Sequence, residues 1–341
     1  MAKSSGTSRL SARRSKPPAR FFYVLVTGGA GFIGSNLVLE LQRRWPWARF
    51  TVVDDFRSGT FKNLTDYRGD VAAVDAAHFR PGEKFDCIFH LASITDTTVV
   101  DQRLMVHDNV EGFRNILAIA RKHKARVVYA SSAATYGIVA ARMSEESAVA
   151  PANAYAFSKV ILDNVADEAR KEGMRVDGLR FFNVYGPGEA HKGASASMIY
   201  QLAAQMRQNR RPRLFKNGEQ RRDFVHVDDV VDALVQASDR GKNAVYNVGS
   251  GRGRSFNAVI RSLNAALGTS LQPDYFDNPY DFYQTFTEAD LTRSRRDLGY
   301  LPKFDLESGV LDYMKRLGWA KEGVATDRTV RASRETGISP L

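Results

Sequence analysis

Cysteine is almost absent from this 341-residue sequence, which contains one thiol, Cys87. No disulfide can therefore form within the chain. One thiol and six scattered histidines also argue against a structural zinc cluster, so no metal is expected. No run of 18 apolar residues occurs, and the N-terminal segment lacks the apolar core of a secretory signal. We therefore expect a soluble cytoplasmic protein without a membrane span.

Acidic residues are also in deficit, since 38 Asp and Glu face 49 Lys and Arg and leave a net charge of +11. Residues 1–20 carry six basic side chains and no acidic one, and residues 320–341 carry +1, which leaves +4 for residues 21–319. The Ser/Arg/Pro-rich segment 1–20 buries too little apolar surface to order itself, so a disordered tail is predicted. A nucleic-acid-binding or targeting arm is the alternative, and a polar tail is expected over 319–341.

Apolar runs and helical patterns alternate along the first half of the chain. An uninterrupted apolar run at 21–26 is typical of a strand buried on both faces, and helical periodicity follows at 32–44. Further runs at 50–53, 85–92, 126–130 and 176–181 predict strands. A helix is predicted at about 108–122, between the runs at 85–92 and 126–130. Such alternation predicts an α/β protein with a doubly wound parallel sheet of the Rossmann type.

The second half of the chain is less regular, and glycine, basic and aromatic residues cluster in it. We predict a dinucleotide-binding domain over 21–186 and a smaller C-terminal lobe over 187–318 that binds the substrate. The run at 245–248 looks like one more strand of the first sheet, so the chain is expected to return there.

A glycine-rich turn follows the first predicted strand, with glycine at positions 28, 31 and 34. Gly28 permits a tight turn, Gly31 lets the backbone approach a diphosphate, and Gly34 lets the helix pack closely on the sheet. The helix that begins at Phe32 and Ile33 directs free N–H groups toward an anion. With Asp54 about 20 residues later, at the end of the second strand, the pattern predicts a dinucleotide site.

The choice between NAD and NADP stays open in the sequence. Asp54 and Asp55 would bond the ribose hydroxyls of the adenosine, and acid at that place favours NAD. Arg57 and Lys62 follow at once, however, and either could pair with a 2′-phosphate. We predict NADP and keep NAD as the alternative.

Tyr155 and Lys159 lie four residues apart, on one face of a predicted helix. A nearby cation favours a phenolate, so Lys159 is expected to lower the pKa of Tyr155 and to suit it as a general base or acid. Ser132 follows the fourth predicted strand, at the sheet edge where such folds bind ligands. Its hydroxyl would hydrogen-bond a reacting hydroxyl or carbonyl.

With these motifs the chain resembles the extended short-chain dehydrogenase/reductase family of nucleotide-sugar epimerases and dehydratases. The resemblance covers about 22–318 and rests on TGGAGFIG (27–34), FHLAS (89–93), YASSAATYG (129–137), YAFSK (155–159) and RFFNVYGPG (180–188). It implies a catalytic trio of Ser132, Tyr155 and Lys159. It also implies cofactor contacts, which fall at Asp75, Leu91, Ala92, Ser93 and Asn109 in addition to Tyr155 and Lys159. Assembly into a homo-oligomer is expected.

Further segments are similar to the branch of this family that epimerises ADP-linked heptoses, among them AHKGASASM (190–198), RRDFV (221–225) and FYQTFTEADL (282–291). That likeness implies an ADP-sugar substrate, transient oxidation at its C6 by bound NADP, and Lys192 as a second acid or base. Substrate contacts would come from Ser132 and from the residues Asn183, Ser195, Phe215, Arg222 and Tyr283. Core packing is the alternative role for the two aromatic side chains.

Other functions remain alternatives at this stage. A UDP-sugar C4 epimerase has no use for Lys192, and a 4,6-dehydratase needs an acid pair where Ala133 and Ala134 follow Ser132. A non-catalytic NADP-binding regulator would not need the complete trio. A nucleic-acid binder would use the basic tail, and its binding would weaken steeply with salt; this reading is disfavoured.

Overall fold

The structure is a computed structural model that describes residues 21–95, 101–139, 141–277 and 284–323. Its strands are β1 Tyr23–Thr27, β2 Arg49–Val53, β3 Asp70–Ala72, β4 Cys87–His90, β5 Arg126–Ser132, β6 Val176–Phe181, β7 Asn183–Tyr185, β8 Arg213–Phe215, β9 Arg221–His226, β10 Val245–Val248, β11 Gly253–Ser255 and β12 Asp274–Phe276. Its α-helices are α1 Phe32–Arg44, α2 Gln102–His123, α3 Ala154–Lys171, α4 Met198–Arg207, α5 Val227–Arg240, α6 Phe256–Leu267, α7 Thr292–Leu298 and α8 Leu306–Arg316.

Seven strands form the main sheet in the order β10-β6-β5-β4-β1-β2-β3. Every neighbouring pair is parallel. The chain moves outward from β1 to β2 and β3 and then crosses to β4 on the other side of β1. The carboxyl ends of β1 and β4 therefore border the crevice where open α/β sheets bind ligands. This confirms the predicted doubly wound α/β fold.

Alternate residues of β1 enter two different cores, which is why its apolar run is uninterrupted. Val24 and Val26 belong to a cluster that α1 and α5 cover, whereas Leu25 belongs to the cluster under α2 and α3. All three side chains are completely buried. Helices on both faces thus fix the sheet edge that carries the glycine-rich turn.

A third core lies outside the main sheet, among α4, α6 and α8. Ile199, Val259, Leu263 and Val310 are among its fully buried members. Two small sheets accompany it, one with the order β11-β9-β7 and one that pairs β12 with β8. The strand expected at 245–248 is β10, which pairs with β6 at the edge of the main sheet. The domain division at residue 186 stays a prediction.

Helix α2 begins earlier than its apolar periodicity indicated, at Gln102 instead of about residue 108. Asp101 caps it, since its carboxylate accepts a 2.9 Å hydrogen bond from the Leu104 backbone N–H. Most residues of 102–107 are exposed, so the apolar periodicity is weak there. Within the described parts of the chain, no helix is long and apolar enough to cross a membrane.

Candidate active site

The glycine-rich turn joins β1 to α1 and forms one wall of a cavity of about 650 Å³. Gly28 has a positive φ of 69°, and a Cβ there would lie 2.6 Å from the Ala92 backbone nitrogen. A Cβ on Gly34 would collide with the Gly28 carbonyl oxygen. Gly31 precedes α1 without a side-chain cap, so the first N–H groups of the helix remain available to a ligand. These features fit the diphosphate of a dinucleotide.

The end of β2 places two carboxylates in different roles. Asp54 is buried, and its carboxylate accepts hydrogen bonds from the backbone N–H groups of Ala30 and Phe56, both at 2.9 Å. Burial raises the pKa of Asp54, and the backbone N–H groups oppose the rise. Asp54 thus braces the glycine-rich turn, which adds a structural role to the predicted ribose contact. Asp55 also lines the cavity.

Arg57 is the centre of an ionic cluster at the same end of the cavity. Its guanidinium contacts Asp55 at 2.7 Å, Asp108 at 2.7 Å and Asp75 at 3.1 Å. The carboxylates of Asp108 and Asp55 raise the pKa of Arg57, and partial burial opposes the rise. A ligand phosphate would have to compete with them, whereas ribose hydroxyls would find carboxylate acceptors nearby.

Ser132, Tyr155 and Lys159 come together where β5 ends beside α3. Ser132 and Tyr155 line the cavity, and the Ser132 hydroxyl lies close enough to the phenol to influence its pKa. Lys159 does not line it. Its Nζ lies 5.7 Å from the centre of the Tyr155 ring and donates a 2.9 Å hydrogen bond to the Ala130 carbonyl. The ammonium thus lies behind the phenol.

Burial dominates the acid–base properties of this group. It raises the pKa of Tyr155, which the nearby Ser132 hydroxyl partly lowers again. Burial also lowers the pKa of Lys159 to about 8, while the carboxylate of Asp163 opposes that change. The expectation that Lys159 lowers the pKa of Tyr155 is therefore wrong for this structure, because the cost of burying a phenolate is larger.

Residues after β4 form the opposite wall. Leu91, Ala92 and Ser93 line the cavity, and the Ala92 N–H donates to Thr27 Oγ1 over 3.2 Å. Asn109 on α2 binds both backbone groups of Ile94 and donates a 3.0 Å hydrogen bond to Ser158 Oγ on α3. This side chain therefore links the wall to the helix that carries Tyr155.

Lys192 reaches the cavity from a separate segment, the short 3-10 helix Ala190–Ser195. Its Nζ lies 5.9 Å from the centre of the Phe32 ring, at the start of α1. Glu189, just before this segment, is almost completely buried and accepts hydrogen bonds from the Ser197 hydroxyl at 2.8 Å and the Gly186 N–H at 3.2 Å. A buried carboxylate thus anchors the segment to the start of α4.

The cavity receives most of the residues proposed from the sequence. The cofactor set present in its wall comprises Gly28, Gly31, Phe32, Ile33, Gly34, Asp54, Asp55, Arg57, Asp75, Leu91, Ala92, Ser93, Asn109 and Tyr155, and the other candidates present are Ser132, Lys192 and Ser195. The same cavity is therefore lined by the glycine-rich turn, by the hydroxyl groups of Ser132 and Tyr155, and by Lys192 from a distant segment.

Four candidates lie elsewhere. Lys62 is exposed in the 3-10 helix Phe61–Leu64, away from the cavity wall. Asn183 on β7 accepts a 3.3 Å hydrogen bond from Thr287 Oγ1. Phe215 packs edge-on against Phe276 at 5.5 Å, as its packing alternative anticipated. The Arg222 guanidinium is buried and donates to backbone carbonyls, one of them that of Arg221 at 2.9 Å.

Tyr283 is outside the described residues. Lys62 stays a predicted phosphate contact, and its side chain is exposed on the 3-10 helix outside the cavity wall. Asn183, Phe215 and Arg222 occupy strands of the two small sheets, where their contacts include Thr287, Phe276 and the Arg221 carbonyl, respectively. None of the three lines the cavity that holds Ser132.

Sequence reasoning missed Asp108 and His90. Asp108 binds Arg57 and immediately precedes Asn109 on α2, so the predicted cofactor contact at Asn109 was the signal that could have placed Asp108 at the cavity. His90 lies at the end of β4, where its Nδ1 contacts Thr27 Oγ1 at 2.9 Å and its ring stacks on Phe113. Burial lowers the pKa of His90 to about 3, so this ring is neutral.

One group of possible metal ligands occurs among the described residues, formed by His226, Asp228 and Asp312. Arg316 donates to both carboxylates, with its Nε 2.9 Å from Asp312. A cation would have to displace this guanidinium. The group is therefore an ion-pair cluster between α5 and α8.

Fold and site together are those of a Rossmann-type α/β protein with a candidate dinucleotide cavity, at which a serine, a tyrosine and a lysine lie close together. The model of the NAD-dependent epimerase/dehydratase family matches residues 24–249, and the chain belongs to this family.

Solved structures extend the comparison. An ADP-L-glycero-D-manno-heptose-6-epimerase from Helicobacter pylori is 40% identical, with a TM-score of 0.82 over 88% of this chain and 97% of that one. A UDP-glucose 4-epimerase from Thermotoga maritima, solved with UDP-glucose, is 27% identical, with a TM-score of 0.80 over 87% and 99%. MoeE5, solved with UDP-glucose and NAD, is 28% identical, with a TM-score of 0.76 over 86% and 98%. The chain is therefore a nucleotide-sugar epimerase of the extended short-chain dehydrogenase/reductase type.

Proposed function

We propose that the protein interconverts ADP-D-glycero-D-manno-heptose and ADP-L-glycero-D-manno-heptose by inverting C6. The observation that carries this proposal is the presence of Lys192 in the same cavity as Tyr155 and the glycine-rich turn. A second amine beside a complete trio suits a reaction that moves a proton on each of two faces of one carbon. The 40% identity to the heptose epimerase from Helicobacter pylori supports the same assignment.

The cofactor that we propose is NADP, which when bound would supply reversible oxidation of the C6 carbinol. Gly28, Gly31 and the start of α1 would hold its diphosphate, and Arg57 would contact a 2′-phosphate. The surrounding carboxylates of Asp55, Asp75 and Asp108 are compatible with the ribose hydroxyls of NAD, which is the alternative. Mass spectrometry of the nucleotide released from the purified protein decides between them.

Two groups would transfer protons at C6. Tyr155, beside Ser132, would take the hydroxyl proton of one epimer or return it, and the buried Lys159 would stabilise the developing phenolate. Ser132 would hold the carbonyl oxygen of the oxidised sugar. Lys192 would serve the other epimer, since inversion moves the hydroxyl to the opposite side of C6. No net oxidation results, and the reaction is an isomerisation.

The deciding experiment incubates the full chain with ADP-D-glycero-D-manno-heptose and follows the C6 configuration by NMR. We expect an equilibrium mixture of both epimers. UDP-glucose is tested in parallel because a UDP-sugar C4 epimerase would yield UDP-galactose. Conversion of UDP-glucose without conversion of the ADP-heptose would overturn the proposed substrate. Tyr155→Phe is the inactive reference, and Tyr23→Phe, at the far end of β1, is its matched control.

A further inference from the structure

The loop that carries Lys192 is tied to the glycine-rich turn by two asparagine side chains. We call residues 187–195 the Lys192 loop. Asn36 lies on α1, and its Nδ2 donates to the Phe32 carbonyl over 2.9 Å and to the Pro187 carbonyl over 2.8 Å. One amide group thus joins the first turn of the cofactor-side helix to the first residue of the loop.

Asn63 makes a second connection from the 3-10 helix Phe61–Leu64. Its Nδ2 contacts the Ala30 carbonyl at 3.2 Å, the Gly188 carbonyl at 3.2 Å and His191 Nδ1 at 3.3 Å. Ala30 belongs to the glycine-rich turn, and His191 directly precedes Lys192. The loop is therefore bound to the turn at its beginning and again beside the proposed base.

The backbone of the loop is shaped for this close approach. Gly188 has a φ of +93°, which L side chains rarely adopt, and a Cβ there would lie 3.0 Å from Asn36 Nδ2. At the other side of the loop, Glu189 binds Ser197 at the start of α4. The loop thus has one anchor at the start of α4 and a second on α1 and the glycine-rich turn.

We propose that Asn36 and Asn63 are positioning residues that couple the cofactor cradle to Lys192, so that a dinucleotide on the glycine-rich turn also orders the Lys192 loop. This inference rests on the proposed function for the role of Lys192. The physical reason is that a diphosphate on the turn restrains the backbone of Ala30 and Phe32, whose carbonyls are the acceptors of both amides. The same restraint reaches residues 187–191 through hydrogen bonds.

The test measures hydrogen–deuterium exchange with and without NADP, and with NAD in parallel, in peptides that cover 27–35 and 187–196. In the wild type, we expect the dinucleotide to slow exchange in both peptides. In the double variant Asn36→Ala/Asn63→Ala, protection of 27–35 should persist, whereas protection of 187–196 should be lost. The matched control is Asn264→Ala, which removes a loop-binding amide on α6, remote from the cavity.

Turnover supplies a second readout. The double variant should lose about tenfold to a hundredfold in kcat because the base is misplaced, with little change in the KM for the ADP-heptose. Each single variant is measured as well, so that a folding defect of the double variant, seen as a lowered Tm, does not prevent a decision. Single variants should each lose part of the loop protection.

Three results would overturn the coupling. The first is a wild-type loop that NADP and NAD leave unprotected, and the second is full protection of 187–196 in the variants. The third is loss of protection in both peptides, which would mean that the asparagines serve cofactor binding alone. If the wild type shows the coupled protection but leaves the ADP-heptose unchanged, the proposed function fails while the coupling stands.

Discussion

Lys159 Nζ donates a 2.9 Å hydrogen bond to the Ala130 carbonyl and thereby holds a buried ammonium at the carboxyl end of β5. The same Nζ lies 5.7 Å from the centre of the Tyr155 ring. One turn further along α3, Asp163 is buried and binds Tyr129 at 2.8 Å and the Arg180 guanidinium at 2.9 Å. The charge beside the phenol is thus set by burial and by one internal carboxylate.

Loss of the positive charge on Lys159 should make kcat depend on pH. The pKa of Lys159 is lowered to about 8, so the ammonium is present below that pH and is lost as the pH rises through it. We expect kcat to fall above about pH 8. Asp163→Asn removes the carboxylate that raises the pKa of Lys159, so the fall should begin at a lower pH.

The measurement is kcat as a function of pH for both proteins. Asp167→Asn is the matched control, since Asp167 lies one turn beyond Asp163 with an exposed side chain. His90, the neighbouring imidazole, has a pKa of about 3 and does not titrate in this range. An unshifted alkaline limb in Asp163→Asn would contradict the role of this carboxylate.

Tyr155 and Lys192 should each be needed for inversion. We expect Tyr155→Phe and Lys192→Ala to lose about a hundredfold to ten-thousandfold in kcat, the usual contribution of a positioned acid or base. The double variant should be almost inert. Steady-state turnover of the ADP-heptose is measured, with Lys171→Ala as the control for loss of an exposed lysine. Full activity in Lys192→Ala would eliminate the second acid–base group.

Arg57 should decide between the two cofactors. If its guanidinium binds the 2′-phosphate, Arg57→Ala raises the Kd for NADP about tenfold to a hundredfold, the usual value of a charged hydrogen bond of about 1.5–3 kcal/mol. The Kd for NAD should change little. Asp108→Asn removes one competing carboxylate and should tighten NADP binding. Calorimetric titration measures the Kd for NADP and for NAD. Lys62→Ala is the control, because Lys62 lies outside the cavity wall and its loss should leave both Kd values unchanged.

Gly34 should tolerate no side chain. Gly34→Ala would drive a Cβ into the Gly28 carbonyl, so the turn must shift and the diphosphate cradle opens. We expect a lowered Tm and loss of dinucleotide binding, measured by thermal unfolding with and without NADP. Gly82→Ala is the control, because a Cβ at Gly82 meets nothing within 4 Å. Equal behaviour of the two variants would contradict the packing role of Gly34.

Local sequence patterns were enough to predict those parts of the candidate site that a single short segment forms. The spacing of Gly28, Gly31 and Gly34 after an apolar run identified the turn, because a strand–turn–helix unit needs few distant contacts. The positions of Tyr155 and Lys159 on one helix likewise follow from helical geometry. The structure agrees with both, and it adds the order of the seven strands.

Local sequence patterns could not predict contacts between residues that are far apart in the chain. Nothing near Asn63 in the chain indicates that its amide reaches Gly188, 125 residues away. The reversed pKa shift of Tyr155 has the same origin, since the burial that dominates it depends on how the whole cavity closes. The diphosphate contact of Arg222 stays a prediction, and the hydrogen bonds of its guanidinium to backbone carbonyls are likewise contacts that local patterns did not indicate.

The position of β10 bears on how the chain can be divided. This strand covers the outer edge of β6, yet it follows β6 by more than 60 residues. A fragment that ends near residue 186 would present the backbone N–H and C=O groups of β6 as an open edge, which invites pairing with other chains. Fragments that begin before β1 must therefore reach residue 248 to complete the seven-stranded sheet.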